Sequence, residues 1–250
     1  MTKTKVQDKT KIRIEKGKQD IQFAEVMDVC HKEFDLEPDA HFTYITFDCT
    51  MDRVTQNSIK AHLKQNSKLE IYNIVTSKAS SSIMQDIYLD EEGAEVEVMN
   101  LLLLTQEASL DSKIEIFHLS KNTTSSLSNY AIAKDQASIA LNNNATIKTA
   151  CSQSIAHQST KGLTLSKLAK IKALPNLYID EYDVIANHAC SIGSINKEDL
   201  FYLMSRGMTQ EEASKIIVMG YVQPILDHIH DQDLKHRIEK EFSLYLLGEK

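Results

Sequence analysis

The stretch Glu92-Gly93-Ala94-Glu95-Val96-Glu97-Val98 has a glycine at its second position and continues as an alternation of aliphatic and acidic side chains. Successive side chains of a β-strand point to opposite faces, so this alternation predicts a strand with one buried and one exposed face. Gly93 supplies the backbone freedom that a tight corner requires. The stretch therefore predicts a short strand that starts at a sharp corner.

Similar alternating runs recur between residues 69 and 192. They occupy residues 69–75, 113–117, 137–141 and 145–148, and several follow turn-forming pairs such as Glu107-Ala108, Asp135-Gln136 and Asn143-Asn144. Short strands joined by tight corners are typical of a parallel β-helix, whose coils stack on one another. An antiparallel sandwich has the same alternation, so periodicity alone leaves both architectures open.

The chain divides into three parts. Residues 1–67 mix short β-like runs with polar connections, and residues 68–193 carry the alternating units. Serine, threonine and asparagine are dense in residues 122–164, where stacked coils would let their side chains pair in ladders. After Gly193 the pattern becomes helical, which predicts a C-terminal helical subdomain over residues 194–250.

Three helices are predicted in this last part. Asn196 is a suitable N-cap for the first, and Gly207 lies where a left-handed residue would end it. Thr209 and Glu212 form a Thr-x-x-Glu capping box for the second, and Pro224 should kink or end that helix. The third is predicted over residues 235–247.

The second and third helices each have an apolar stripe, which we expect to pack against the end of the β region. The predicted stripe of the second helix is Ala213, Ile216, Ile217, Gly220 and Tyr221. The predicted stripe of the third is Ile238, Phe242, Tyr245 and Leu246.

Composition excludes several classes of protein. A formal net charge of −7 argues against a protein that binds duplex nucleic acid. The chain has no apolar run long enough to span a membrane, and it begins with polar sequence, so we expect a cytoplasmic location. The cysteines are far apart with no Cys-x-x-Cys pair, which excludes a zinc ribbon and a thioredoxin-type motif. They are Cys30, Cys49, Cys151 and Cys190.

Common catalytic and nucleotide-binding motifs are absent from the sequence. None of the 7 glycines falls in a phosphate-binding loop of the Walker or Rossmann type, so no bound nucleotide is expected. There is also no Gly-x-Ser-x-Gly elbow and no His-Glu-x-x-His helix. Sequence alone does not exclude a Ser-His-Asp triad, because its members need not be neighbours, but nothing favours one.

His188 and Cys190 are the side chains best suited to bind a metal. Two residues apart on an extended segment, they would point to the same face, with Ala186 leaving space beside them. Imidazole and thiolate together suit iron, iron–sulfur clusters or zinc. A half-buried strand in which this pair merely packs is the alternative. Cys151 and His157 can likewise be either functional residues or residues with a purely structural role.

The order of residues around this pair is more specific than its spacing. Asp183-Val184, His188 and Ser191-Ile192-Gly193 are followed by Leu200-Phe201-Tyr202-Leu203-Met204-Ser205-Arg206-Gly207. This order resembles the C-terminal signature of the SufB/SufD family, the scaffold subunits of the SUF iron–sulfur cluster assembly system. The chain is short for that family.

Two departures place the chain nearer to the SufD side of the family. Many SufD members have Cys-Ser-His-Gly where this chain has Ala186-Asn187-His188-Ala189. The Glu-His-Glu of the SufB branch is also missing, because Asn187 and Ala189 flank the histidine.

The resemblance implies a fold, partners and site residues. It favours a right-handed parallel β-helix with a C-terminal helical subdomain over the sandwich. It implies a SufC-type ATPase docked on the C-terminal helices, with Phe201, Tyr202, Arg206 and Gly207 in the docking segment. Aromatic and arginine side chains are frequent anchors of interfaces, although Arg206 has an equal structural reading, in which it ties the last helical turn to backbone carbonyls.

The last coils of the β-helix would meet a second SufB/SufD-like subunit, in a homodimer or a heterodimer. His188 and Cys190 would then be candidate ligands for iron or a transient iron–sulfur cluster. Asp183 or Asp180 would meet incoming iron through hard oxygen donors.

These observations are compatible with two functions. The first is a non-enzymatic scaffold on which iron and sulfide assemble, which the presence of Cys190 favours. The second is a supporting interaction subunit that binds no cluster, which the missing cysteine at Ala186 favours. A β-helical carbohydrate-active enzyme is disfavoured, because the central runs have few acidic residues in register.

Overall fold

The structure is a computed structural model that describes residues 8–247 of the chain, and the side chains of residues 10–244. Fourteen strands and three helices make up this part. The strands are β1 (Asp8–Ile14), β2 (Gln19–Glu25), β3 (Val29–Leu36), β4 (His41–Asp48), β5 (Thr55–Leu63), β6 (Lys68–Ser77), β7 (Ser81–Leu89), β8 (Glu95–Leu104), β9 (Ser109–His118), β10 (Thr124–Ala133), β11 (Ser138–Ile147), β12 (Ser154–Thr164), β13 (Lys170–Ile179) and β14 (Val184–Ser194). The helices are α1 (Lys197–Ser205), α2 (Gln210–Leu226) and α3 (Gln232–Leu247).

The strands form two parallel sheets. The odd sheet has the order β1-β3-β5-β7-β9-β11-β13, and the even sheet has the order β14-β12-β10-β8-β6-β4-β2. Consecutive strands thus alternate between the sheets, and each strand pairs with the strand one coil away. Register partners on neighbouring coils are separated by 22 residues where β1 pairs with β3 and β2 with β4, and by 26–32 residues elsewhere, which gives the length of a coil. The predicted parallel β-helix is confirmed, and the antiparallel sandwich is excluded.

One corner of the β-helix is built from residues in the left-handed region. Asp39, Asn66, Gly93 and Asn122 have φ of 60°, 53°, 75° and 56°. Their side chains also join the coils, because Asn66 Nδ2 donates to Asp39 Oδ1 at 3.2 Å and Asn122 Nδ2 donates to Glu92 Oε1 at 2.8 Å. A Cβ at Gly93 would collide with the side chain of Asn66, so this corner needs glycine for space as well as for φ.

The turn predicted at Asn143-Asn144 is wrong. Residues 137–141 and 145–148 were predicted as separate runs with a turn at Asn143-Asn144, yet one strand, β11, includes both asparagines. Asn144 is held in the strand because its Nδ2 donates to Glu115 on one neighbouring coil, and its Oδ1 accepts from Asn176 on the other.

The predicted boundary at residue 67 coincides with no break in the sheets, since β4 pairs with β6 across it.

Helices α2 and α3 lie across the outer face of the even sheet. Their buried side chains join apolar side chains from strands β4 to β12 in one cluster. The helical members are Val218, Val222, Ile225, Leu226, Leu234, Ile238 and Phe242, and Ile229 joins them from the connection between α2 and α3. The expectation that the helices pack against the end of the β region is therefore wrong, because the outer face of this sheet is itself apolar.

The helix caps agree with the sequence. Asn196 caps α1 by accepting from Glu198 N at 2.9 Å, and Gly207 follows that helix with φ of 95°. Thr209 and Glu212 form the predicted capping box of α2. Pro224 lies in the last turn of α2, two residues before its end at Leu226.

The apolar stripe of α2 differs from the prediction. Ala213 is buried as predicted, but Ile216 and Gly220 are exposed, and Val218 and Val222 are buried instead. In α3, Ile238 and Phe242 are buried, whereas Tyr245 and Leu246 lie outside the described side chains. None of the helices in residues 8–247 is both long enough and apolar enough to cross a membrane.

Candidate functional site

The β-helix ends at two strands with a free edge. In the described part of the chain, β13 and β14 each pair on one side only. Large apolar side chains near these edges are exposed to solvent: Leu174, Tyr178, Ile179, Ile185 and Ile192. An unpaired edge flanked by apolar side chains is a typical surface for pairing with another chain.

His188 and Cys190 share the interior-facing side of β14. Val184 and Ala186, earlier on the same side of the strand, pack against the last small core cluster of the β-helix. His188 and Cys190 are exposed because no further coil covers them. Neither side chain makes a hydrogen bond to any of the residues 8–247. Both side chains are therefore available to a ligand or to a second subunit at the end of the β-helix.

A row of polar side chains runs through the interior of the β-helix and ends beneath this pair. Thr46 Oγ1 donates to Asn73 Oδ1 at 3.0 Å, Asn73 Nδ2 to Asn100 Oδ1 at 2.8 Å, and Asn100 Nδ2 to Asn129 Oδ1 at 2.7 Å. Asn129 Nδ2 then donates to Thr160 Oγ1 at 3.2 Å. We call these five residues the interior ladder, and the next position in register is Cys190.

Gln158 occupies the equivalent place beneath His188. It is the register partner of His188 on β12, and only 4% of its surface is exposed. Its Nε2 donates to the backbone oxygen of Asn176 on the odd sheet at 3.3 Å. Its Oε1 is buried and has no hydrogen-bond partner within the described residues. A buried acceptor thus lies one coil below the exposed imidazole.

The acidic residues predicted to meet iron lie apart from this pair. Asp183 precedes β14, and its backbone oxygen accepts from Gln153 N. Five residues of extended chain, about 16 Å, separate Asp183 from His188. Asp180 lies before it in the same connection. Among residues 8–247, no three His, Cys, Asp or Glu side chains lie close enough together to hold a metal ion.

The other candidate residues have structural surroundings. Cys151 is buried, and its Sγ donates to His118 O at 3.3 Å. His157 lies on the outer side of β12, where its Nδ1 is 3.0 Å from Asn187 Oδ1. Both contacts fit the structural reading that the sequence left open.

Helix α1 presents an exposed apolar surface. No residue of α1 is buried, and Phe201, Tyr202 and Met204 are 73%, 58% and 42% exposed. The guanidinium of Arg206 lies 5.3 Å from the ring centre of Tyr202 and donates to its hydroxyl oxygen at 3.2 Å. The side chain of Arg206 thus contacts the aromatic ring of Tyr202 rather than backbone carbonyls.

The interior ladder and Gln158 were not found from the sequence. Density of polar residues predicted ladders over residues 122–164 but gave no register. A specific signal existed, because Asn73, Asn100 and Asn129 recur at the coil length of 27 and 29 residues. Nothing comparable marks Gln158.

Comparisons with known proteins agree with this geometry. A sequence profile described as "SUF system FeS cluster assembly, SufBD core domain" matches residues 6–221, which include β14 and α1. This chain belongs to the SufBD family. The SufBD match ends within α2, so α3 lies beyond it.

Individual SufBD relatives are similar over part of the chain. The iron–sulfur cluster assembly protein SufD of Bacillus subtilis is 34% identical over 124 residues, 50% of this chain and 28% of that protein. SufD of Plasmodium falciparum is 28% identical over 72% of this chain and 12% of its own length. SufD of Escherichia coli is 31% identical over 32% of this chain and 19% of its own length. The chain thus spans less than a third of the length of these SufD proteins.

Proposed function

We propose that this SufBD-family chain is a non-enzymatic scaffold subunit of a SUF-type iron–sulfur cluster assembly complex. Iron and sulfide are its cargo, and it binds no nucleotide itself. A SufC-type ATPase docks on the C-terminal helices, and a second SufB/SufD-like subunit pairs with the end of the β-helix. We also propose a cytoplasmic location. The observation that carries the proposal is the pair of ligand-type side chains, His188 and Cys190, at an unpaired strand edge of a SufBD-family β-helix.

The open edges of β13 and β14 support the pairing with a second subunit. Their backbone donors and acceptors can continue a sheet into another chain, and exposed Tyr178 and Ile185 add apolar area nearby. A partner would also complete the ligand set. Two ligands do not hold a cluster, and the described residues provide no third one beside them.

Asp183 has a separate role in this proposal. Its backbone lies about 16 Å along the extended chain from that of His188, too far for the two side chains to share one coordination sphere. As a hard oxygen donor it suits incoming iron before transfer to the imidazole and thiolate.

The surface of α1 supports docking of the ATPase. Aromatic and arginine side chains are the usual energetic anchors of interfaces, and here Phe201 and Tyr202 are exposed on α1 and Arg206 is exposed at its C-cap. Gly207 lets the chain turn directly after this surface, because its φ of 95° is readily adopted only by glycine.

A second candidate function is a supporting subunit that pairs and docks but holds no cluster. It is favoured by Ala186, which stands where many SufD members have a cysteine. In this second function, α1 still docks the ATPase and the edges of β13 and β14 still pair with another subunit. All ligands for the iron–sulfur cluster then come from that partner subunit.

Anaerobic reconstitution with iron and sulfide separates the two functions. Under the scaffold proposal, the paired subunits bind more iron than the isolated chain, and His188→Ala and Cys190→Ala each lower the iron bound per complex. His157→Ala is the matched control, because that histidine is also exposed but lies on the outer side of β12. Unchanged iron content and cluster transfer in both site variants would establish the supporting role instead.

A further inference from the structure

Two side chains of β12 reach the end of the interior with unused hydrogen-bonding capacity. Thr160 Oγ1 accepts from Asn129, and its hydroxyl proton has no acceptor among the residues that the structure describes. Gln158 Oε1 is a buried acceptor with no partner there. A buried polar atom that lacks a partner costs about 1–3 kcal/mol, so such atoms in a folded protein need an explanation.

The next coil carries a hydrogen-bond donor for Gln158 Oε1 and an acceptor for the hydroxyl of Thr160. Gln158 is in register with His188, and Thr160 is in register with Cys190. Paired positions on adjacent strands lie about 4.8 Å apart, within reach of a side-chain hydrogen bond. The acceptor therefore lies beneath an imidazole, which has an N–H to donate. The donor lies beneath a sulfur, which accepts a hydrogen bond best as a thiolate.

We propose that Gln158 is a positioning residue for His188: the exposed imidazole, which makes no hydrogen bond within the described part of the chain, turns toward the interior so that Gln158 Oε1 accepts the N–H of one ring nitrogen. The other nitrogen, with its lone pair, is then directed out of the end of the β-helix. This inference rests on the proposed function, because it concerns how a candidate ligand of the cargo is oriented. Metal-binding histidines commonly donate their second ring N–H to such an acceptor, which fixes both tautomer and ring orientation.

The surroundings of Gln158 hold it in place for this role. Its Nε2 is tied to Asn176 O on the opposite sheet, so the carboxamide spans the interior rather than moving with solvent. The interior ladder, which holds Thr160 by the same register, runs next to it. His188 itself is exposed and has no other protein partner within residues 8–247, so water is the competitor that Gln158 must displace from its N–H.

The test is nitrogen NMR of the full-length, iron-free chain labelled at its histidines, in slightly alkaline solution, with His188→Ala used for assignment. Gln158→Met keeps the length and volume of the side chain but removes the acceptor. We expect a single tautomer of His188 in the natural protein and a mixture of both tautomers in Gln158→Met. Gln85→Met is the matched control, because Gln85 is also buried, donates Nε2 to one partner, Asn73, at 3.3 Å, and has an unpartnered Oε1.

Several results would overturn the proposal. A mixture of tautomers in the natural protein would do so, as would a single tautomer that persists in Gln158→Met. An identical change in Gln85→Met would show a general disturbance of the interior instead.

A second measurement separates this inference from the proposed function. Cobalt(II) bound to the paired subunits serves as a spectroscopic probe of histidine and cysteine ligation, and loss of an outer-shell partner typically weakens metal binding 10- to 100-fold. We expect at least about tenfold weaker cobalt binding in Gln158→Met. If the tautomer changes but the natural pair binds no cobalt, His188 is positioned and the ligand role fails. If cobalt binds through His188 and Gln158→Met changes neither measurement, the ligand role stands and the positioning role fails.

Discussion

Asn129 donates a hydrogen bond to Thr160 at 3.2 Å inside the β-helix, and Thr160 lies directly beneath Cys190 in the register of the even sheet. The buried interior is thus polar along one row from Thr46 to the site. Apolar packing has no preferred alignment along the strand, whereas amide side chains bond only when the coils are in register. The interior ladder therefore contributes to the position of the site strand as well as to stability.

Replacement of Asn100 tests the stabilising part of this role. Asn100→Leu should lower the free energy of unfolding by about 2–4 kcal/mol, because it leaves Asn73 Nδ2 and Asn129 Oδ1 buried without partners. Asn142→Leu is the control, since Asn142 is only half-buried on the outer side of β11. Denaturant unfolding measures both variants. Equal losses in the two would show that the ladder contributes no special stability.

Acidification should destabilise the fold through His118. Burial lowers the pKa of this histidine from 6.5 to about 4, and its ring nitrogens lie 2.8 and 2.9 Å from Thr123 Oγ1 and Ser125 Oγ. Between these two pH values the unfolded chain binds a proton that the folded chain excludes. Stability is therefore full above pH 6.5 and falls as the pH drops toward 4, by up to about 3 kcal/mol from this group.

Unfolding measured across that range checks the prediction. His118→Gln should flatten the pH dependence between pH 6.5 and 4, whatever its effect on stability at neutral pH. His157→Gln, at an exposed position, should leave the slope unchanged. A slope that survives His118→Gln would assign the effect to other groups.

A point substitution on α1 tests the proposed ATPase-docking surface better than a deletion of the C-terminal region. Deleting the helices would uncover the apolar outer face of the even sheet, so a truncated chain would fail for reasons unrelated to docking. Phe201→Asp places a charge at a 73%-exposed position of a helix with no buried residue, so the fold should be unaffected.

We expect Phe201→Asp to weaken co-purification of the SufC-type ATPase of the same organism at least about tenfold, the effect of losing roughly 1.4 kcal/mol or more at an interface anchor. Met84→Asp, at an exposed apolar position on the odd sheet, is the matched control and should retain the ATPase. Retention by both variants would remove α1 from the interface.

Local patterns in the sequence were sufficient to predict the coils and the caps. The alternation in Glu95-Val96-Glu97-Val98 and the capping box of Thr209 and Glu212 depend on neighbours in the chain, and both predictions are confirmed. The turn predicted at Asn143-Asn144 was wrong, because the partners of Asn144 lie 29 and 32 residues away on other coils.

The candidate site was predictable only in part, because it also depends on residues of other coils. Spacing placed His188 and Cys190 on one face of a strand, and the register of β14 agrees. The residues beneath them, Gln158 and Thr160, are set by the coil length, which varies between 22 and 32 residues along the β-helix and is predicted by no short motif. The side of α2 that faces the sheet depends on how the helix lies on β8 and β10, which are distant in the chain, so Ile216 was misassigned.

The packing of α2 and α3 on the even sheet imposes an order on folding. Arg237 of α3 pairs with Glu25 of β2, 212 residues earlier in the chain, and its guanidinium lies over the ring of Phe47. A nascent chain has therefore completed every coil before the helices that cover the outer face leave the ribosome. At synthesis rates of about 5–20 residues per second, that apolar face waits in solvent for several seconds. The growing β-helix is exposed to aggregation during this interval, and we expect chaperones to bind it until the last helix arrives.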